Sequence, residues 1–419
     1  MRVVQPVGWA FFPLDRELAL LPGQYTPKVY ENLVRLSSWM PFEQAVKTLA
    51  GIVGVQVSKA SAVRNTEQAG AAYVAIQEEE VREIEQKAPP AAKGAKQTVL
   101  SADGAMVPLL HSEWGEVKTL AIGEVCVTKQ GEIRTQNLSY FSRLASAEDF
   151  TRLSLVETQR RGVENSQQVA AVQDGAEWLQ ALVDYHCPQA LRILDFPHAA
   201  QRITEIGQTL ASQDSLTLGE WQQTWLHSLK QEGPQPLLQM LRQHQASQPN
   251  HELLRVNLAY LEKRQAQMDY PHFVQQGWPI GSGMVESANK NVVEARLKGT
   301  GMHWQRAHVN PLLALRNIVC NDRWDEVWPQ IEKRLRSQAF HKRTQLAQQR
   351  FQSRTAPLPT LVPSTTPPAL PPAISPLPPP TPLSPATLPP STKCPSSNHP
   401  WRCSPIGNAR FQIPIPAKS

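Results

Sequence analysis

The sequence predicts an α/β protein built on a mixed sheet, in which three antiparallel strands are extended by β–α–β additions and an all-helical insertion interrupts the chain. Three observations predict it. Beyond residue 96 three β-branched or apolar runs follow one another at hairpin spacing. Two shorter buried runs then alternate with helical sequence, which is the pattern of parallel strands joined by crossovers. From His198 to about Tyr270 the apolar stripes have helical spacing throughout.

Residues 1–30 have a mixed pattern with several prolines and predict no regular element. From Tyr30 to about Lys87 the reading is helical. Phe42, Val46, Leu49 and Val53 repeat at helical spacing, Gly51 and Gly54 break the helix, and Ser58 can cap a second one running to Gly70. Two short helices joined by a tight turn, the second carrying Lys59, Arg64 and Asn65, suit a helix-turn-helix over residues 31–92 that places donors in a DNA groove. A helical hairpin that merely packs has the same pattern. A charged helix then ends in KAPPAAKG, a linker.

TVLSADGAMVPL, EVKTLAIGEVCVT and IRTQNLSYFSRL are the three strands, followed by a helix over about Ala147 to Arg161. QVAAVQDGA reads as a buried strand, AEWLQALVDYH as a helix and ALRILDF as another buried strand. Trp221, Trp225 and Leu229, then Leu254, Leu258 and Leu261, are core stripes of the helical insertion, placed at about residues 199–276 of a domain covering 96–330. A basic helix over 331–354 carries Lys333, Arg334, Arg336, Lys342, Arg343 and Arg350. The run favours polyanions, and it also fits a solvated helix face. Of 37 prolines, 17 lie between Pro357 and Pro400, and no Asp or Glu follows Arg354, so residues 355–419 predict a disordered tail.

Formal charge is +6, and the five cysteines are scattered without paired spacing, which argues against a disulfide framework or a zinc ribbon. No apolar run approaches membrane-spanning length, and no signal-peptide pattern follows Met1. A soluble, cytoplasmic protein without a membrane partner is expected.

Three acidic residues stand where buried apolar sequence stops: Asp103, Asp174 and Asp195. Strand ends of an open α/β sheet are where ligands bind. Asp-Gly, present at Asp103 and Asp174, is also a favoured turn dipeptide. Two carboxylates converging at adjacent strand ends repel unless a cation sits between them. Hard oxygen ligands with open positions suit Mg²⁺ or Mn²⁺, and two such ions about 4 Å apart serve phosphoryl transfer.

GWPIGSGMVESANKNVVEARLKGTG, beginning at Gly277, offers a third carboxylate. Its glycines fail both the phosphate-loop and the dinucleotide patterns. Ser282 can instead cap a helix with Glu286 near its start, and Lys290, Val293 and Leu297 would share that face. A Glu there also suits the helix dipole alone.

Asp103, Asp174 and Glu286, in the order first strand, fourth strand, final helix, resemble the DDE triad of RNase H-like transposases and integrases. PFEQAVKTLAGIVGVQVSKASAVRNTEQAG, SADGAMVP, QDGAEWL, ILDFPHAAQ and GWPIGSGMVESANKNVVEARLKGTGMHW resemble insertion-sequence transposases of the ISKra type, over roughly Pro13 to Trp328. The resemblance implies an RNase H-like domain and the helical insertion before the catalytic helix. It implies that Asp103, Asp174 and Glu286 hold two Mg²⁺ (or Mn²⁺) ions that activate a water to cut element ends, the freed 3′-hydroxyl then attacking target DNA.

In related transposases a C/DxxH signature ends the fifth strand, here Asp195 with His198. Both Asp174 and Asp195 compete for the second ligand position; Asp174 is the choice, with Asp195 and His198 supporting. Arg296, Lys298, Arg306 and Arg316 are expected on phosphates, Trp304 on an unpaired base or in packing, and Asn289 near the metals. The implied partners are double-stranded DNA, both terminal repeats and target, and a second copy of the chain, as a homodimer or larger assembly on the element ends of a bacterial, nucleoid-associated enzyme. The family usually carries a cysteine-bearing segment upstream of the region matching GWAFFPLDRELAL, so an N-terminally shortened copy is expected. A nuclease of the same fold and a non-enzymatic DNA-binding remnant are the rival readings.

Overall fold

The computed structural model describes Leu21 and residues 25–211 and 217–355; the expected disordered tail and most of the N-terminal segment lie outside the described residues. Three helices come first: α1 (Pro27–Trp39), α2 (Phe42–Val53) and α3 (Lys59–Lys87). Gly54 closes α2 in the left-handed region at φ 72°, which glycine adopts without a Cβ penalty. The Ser58 hydroxyl then accepts the Ser61 N–H at 3.1 Å and starts α3. The sequence break expected at Gly70 does not exist, because α3 runs on for 29 residues. Gly70 serves a different purpose: a Cβ there would come within 2.1 Å of the Pro311 carbonyl oxygen, so its absence lets two helix backbones touch.

The sheet comprises β1 (Gln97–Pro108), β2 (Trp114–Val127), β3 (Ile133–Leu144), β4 (Gln168–Gln173) and β5 (Leu191–Leu194). Their order is β3-β2-β1-β4-β5, antiparallel across the first three and parallel from β1 to β5. It is an α/β architecture on a five-stranded mixed sheet, as the strand runs predict. Between β3 and β4 the expected single helix is two, α4 (Ala147–Leu153) and α5 (Leu155–Arg160), and α6 (Glu177–His186) crosses from β4 to β5.

The helical insertion follows: α7 (Phe196–Leu210), α8 (Leu218–Glu232), α9 (Gln235–Ser247), α10 (Glu252–Lys263) and α11 (Tyr270–Gln275). Trp221, Leu229, Leu254, Leu258 and Leu261 are buried there, in one core with Val99, Ala170 and Val172 of the sheet. The chain returns through α12 (Gly283–Ala288), a π-helical stretch (Asn289–Glu294), α13 (Ala295–Leu297), α14 (Arg306–Cys320) and α15 (Trp324–Thr355). Val285, Ala288, Val292, Val293 and Leu297 pack with Ala105 and Val107 of β1. No helix among the described residues is long and apolar enough to cross a membrane.

Side chains two apart on a strand share a face. Val99, Ala105 and Val107 therefore share one face of β1, yet Val99 joins the insertion core whereas Ala105 and Val107 join the core under the returning helices. Asp103 is on this same face. It sits at the seam between two helical layers.

Candidate functional site

Strand register puts the three aspartates in a row. Leu100 lies beside Ala171 in the last pair of the β1/β4 ladder; three residues on come Asp103, still inside β1, and Asp174, one residue past the end of β4. Gln173 lies beside Leu194, and the next residues are Asp174 and Asp195. Adjacent strands are about 4.8 Å apart, so the row is a row of neighbours. One expectation is corrected here: Asp103 does not end its strand but lies inside β1, opposite Thr119 of β2. What ends at this level are the shorter strands β4 and β5, and that opens the crevice beside Asp103.

The three carboxylates have different surroundings. Asp103 is half-buried; its Oδ1 accepts the Gly104 N–H at 2.7 Å and its Oδ2 accepts the Asn289 Nδ2–H at 2.9 Å. Burial pushes its carboxyl above the ordinary value, the Gly104 N–H opposes the rise, and the Asp174 charge adds to it. Asp174 is half-buried with Oδ1 accepting the Ala176 N–H at 2.7 Å. It lines a pocket of about 230 Å³ with His198, Arg202, Tyr260 and Arg264.

Asp195 is fully buried, with both oxygens occupied. Its Oδ1 accepts the Ser282 N–H at 2.6 Å, and its Oδ2 meets His198 Nδ1 at 2.5 Å. Burial raises the Asp195 carboxyl, but the hydrogen bonds from His198 and Ser282 outweigh it and hold the group below its ordinary value. The bond to Asp195 holds His198 above its ordinary value against burial, and the charges of Asp195, Asp174 and Asp103 add to the rise. The Asp195 carboxylate therefore caps α7, orients His198 and ties the returning chain at Ser282 to the end of β5. Both of its oxygens are engaged by the protein.

Glu286 is exposed on α12, one turn before Asn289, the residue that touches Asp103. The structure thus brings Asp103, Asp174 and Asp195 within electrostatic range of His198, and Asp174 within range of Asp103, while Glu286 is not among the charges acting on either Asp103 or His198. Among the described residues no three His, Cys, Asp or Glu side chains are spaced to hold a metal ion together. The shared face expected for Glu286, Lys290, Val293 and Leu297 is also corrected. Glu286 and Lys290 are exposed while Val293 and Leu297 are buried, because the π-helical stretch changes the angle per residue between them. Ser282 precedes α12 without a side-chain cap, its backbone N–H going to Asp195 instead.

Several expected DNA contacts are buried. Arg296 and Arg316 are 1% and 2% exposed. Arg296 Nε donates to the Ser37 carbonyl at 2.9 Å, and Arg316 donates to the carbonyls of Ser38, Val292 and Asn291. Burial lowers the Arg296 guanidinium to about 10, and the neighbouring Arg316 charge adds to the effect. Both guanidiniums satisfy last-turn carbonyls of α1, where the helix dipole welcomes a cation.

Asn65 is 1% exposed, which removes it as a DNA contact as well. Trp304 packs edge-on to Phe42, lies under Arg296 and donates from Nε1 to the Leu297 carbonyl at 2.9 Å, so its role here is packing. Lys59, Arg64 and Arg306 are exposed, and Lys298 pairs with Glu294 at 2.7 Å.

Sequence reasoning missed the grip of the insertion on the strand ends. Tyr260 Oη donates to the Asp174 carbonyl at 2.6 Å, Arg264 Nε to the Gly175 carbonyl at 3.1 Å, and Tyr270 Oη to the Leu194 carbonyl at 3.0 Å. These bonds span 76 to 89 residues, and no local pattern signals them. No protein-family model and no curated protein matches this chain.

Proposed function

We propose that the chain is a DDE-type DNA transposase with an RNase H-like catalytic domain, acting on the ends of an ISKra-like insertion element. The observation that carries the reading is the pair Asp103, inside β1, and Asp174, one residue past the end of the parallel neighbour β4, close enough for the Asp174 charge to raise the Asp103 carboxyl and lying at the seam between two helical layers.

The donor set fits a hard divalent cation. Asp103 and Asp174 offer carboxylate oxygens, and the buried Oδ1 of Asn289, beside Asp103, has no hydrogen-bond partner. Mg²⁺ and Mn²⁺ accept one or two carboxylates and complete their shell with water and phosphate oxygens. Asp103 and Asp174 would hold the ions, with Glu286 approaching from α12. When bound, the ions lower the pKa of water and neutralise charge on the phosphate.

The chain's own residues do the rest. Asn289 holds Asp103, Asp195 orients His198 where it lines the pocket beside Asp174, and exposed Lys59, Arg64 and Arg306, with Lys298 beside its Glu294 partner, offer charge to the DNA backbone. In the first reaction a water oxygen bonds to phosphorus and the 3′ oxygen of the element end leaves. In the second that 3′ oxygen attacks a target phosphodiester and displaces the target's own 3′ oxygen. A homodimer or larger assembly would hold paired ends, at the bacterial nucleoid.

Labelled element ends incubated with the protein, Mg²⁺ and a target plasmid test this. Cut and joined products are expected, and Asp103→Ala, Asp174→Ala and Glu286→Ala should each remove both. Cut ends without joined products would mean a nuclease, and bound but uncut DNA a binding remnant. Undiminished joining in all three variants would overturn the residue assignment.

A further inference from the structure

We infer that Tyr260 and Arg264 of the helical insertion are positioning residues that set the Asp174 carboxylate for cation binding; the inference rests on the reading of Asp174 as a ligand. The need for such a device follows from the register. The β4 ladder ends at Gln173, so Asp174 lies one residue beyond the last sheet pairing and its backbone is not held by the sheet. Its own side chain bonds only forward, to the Ala176 N–H. The next residue, Gly175, has φ 84°, in the region that favours glycine.

The insertion supplies what the sheet does not. Tyr260 Oη holds the Asp174 carbonyl at 2.6 Å, and the Arg264 guanidinium reaches the Gly175 carbonyl through Nε at 3.1 Å and again through its second terminal nitrogen. Two successive peptide carbonyls are thereby fixed, which fixes the plane from which the Asp174 side chain departs. The clamp is itself braced. Arg264 is 8% exposed and stacks over the Tyr260 ring at 4.0 Å, and Arg202 lies over that ring at 4.9 Å.

The fit also requires Gly175. A Cβ there would lie 2.5 Å from Arg264 Nε and 2.8 Å from Tyr260 Oη. The arginine is therefore a carbonyl donor and a wall, and not a free cation. A ligand's hydrogen-bonded supports contribute about 10–100-fold to metal affinity, and a backbone clamp acts by the same means, restricting where the ligand oxygen can be.

The test is Mn²⁺ binding to the full-length protein without DNA, followed by electron paramagnetic resonance, with the Mn²⁺ dependence of cleavage as a second readout. Tyr260→Phe keeps the ring against which both arginines stack and deletes only the hydroxyl. It should weaken Mn²⁺ binding about 10-fold. It should also raise the Mn²⁺ concentration for half-maximal cleavage, with the saturated rate retained. Arg264→Lys and Gly175→Ala should move it the same way. Tyr270→Phe deletes an equivalent hydroxyl from the end of β5, at the Leu194 carbonyl, and should leave Mn²⁺ affinity unchanged.

Wild-type affinity in Tyr260→Phe and Arg264→Lys, beside a loss in Asp174→Ala, would overturn the clamp and leave the cation reading standing. An equal loss in Tyr270→Phe would also overturn it, by showing a general loosening. Wild-type Mn²⁺ binding in Asp174→Ala would overturn the cation reading itself, and the clamp with it.

Discussion

Asp174 and Asp195 each follow the last residue of adjacent parallel strands, come after similar apolar runs and precede helices, yet their surroundings are opposite. Asp195 is fully buried and bonded on both oxygens, to Ser282 and His198. Asp174 is half-buried at a pocket, with one oxygen bonded to its own turn. The difference comes from what arrives later in the chain. The returning segment at Ile280–Ser282 docks on the β5 end, where Phe196 N–H also donates to the Ile280 carbonyl, and it covers Asp195. The β4 end is gripped through its backbone, and its side chain is left open. A carboxylate's availability is decided by whether its neighbours bond its side chain or its main chain.

The largest expected effect separates the two by activity. Asp174→Ala should lower DNA cleavage by more than about 100-fold, since even residues behind metal ligands cost about 10–100-fold, while thermal unfolding stays close to wild type. Unaltered cleavage would break the comparison at its functional end.

Asp195→Ala should act on the fold instead. It removes a helix cap and leaves the Ser282 N–H buried without an acceptor, so a loss of about 2–4 kcal/mol in chemical denaturation is expected. A variant as stable as wild type would show that the β5 end does not anchor the returning chain.

The same pair predicts a pH window. His198 has a raised folded pKa, so its contribution to stability is complete below its ordinary value of 6.5 and is lost as pH rises through the folded value. Asp195 has a lowered folded pKa, so its contribution is complete above 3.8 and is lost as pH falls through the folded value. The pair's contribution should therefore be flat between those two pH values. Denaturation midpoints measured in wild type and Asp195→Asn should converge outside that window on both sides. A difference independent of pH would mean that the charges do not matter.

The smallest effect is at Asn289. Burial raises the Asp103 carboxyl, and the Asn289 amide opposes the rise less than the Gly104 N–H does, so Asn289→Ala should move the acidic limb of the cleavage profile slightly upward. A downward shift would reverse the sign assigned to the contact.

The sheet was legible because β-branched runs at hairpin spacing have few alternatives, and Asp174 and Asp195 because buried strands stop where charge begins, whereas Asp103 sits inside a strand that runs on to Pro108. The fate of the basic residues was not. Arg296 reads as an exposed cation on a short helix, but its partner carbonyl at Ser37 is 259 residues away. Arg316 is likewise claimed by Ser38, 278 residues away. Sequence spacing places a residue on a face, and only the fold decides what that face meets. The π-helical stretch was invisible for a related reason, since Asn289–Glu294 has no residue that forbids an ordinary α turn, and the hydrogen bonds to Arg316 that hold it come from α14.

The contact between Gly70 and Pro311 gives the N-terminal helices a further property. At the Gly70–Pro311 contact no side chain separates the backbones of α3 and α14, which pins the crossing point of the two helices. If α2 and α3 hold DNA, they hold it at a set offset from the aspartate row, with the protein's own thickness as the ruler. The number of base pairs between a recognised sequence and a cut would then be a property of this helix crossing, and adding a Cβ at residue 70 would change where the ruler reads zero.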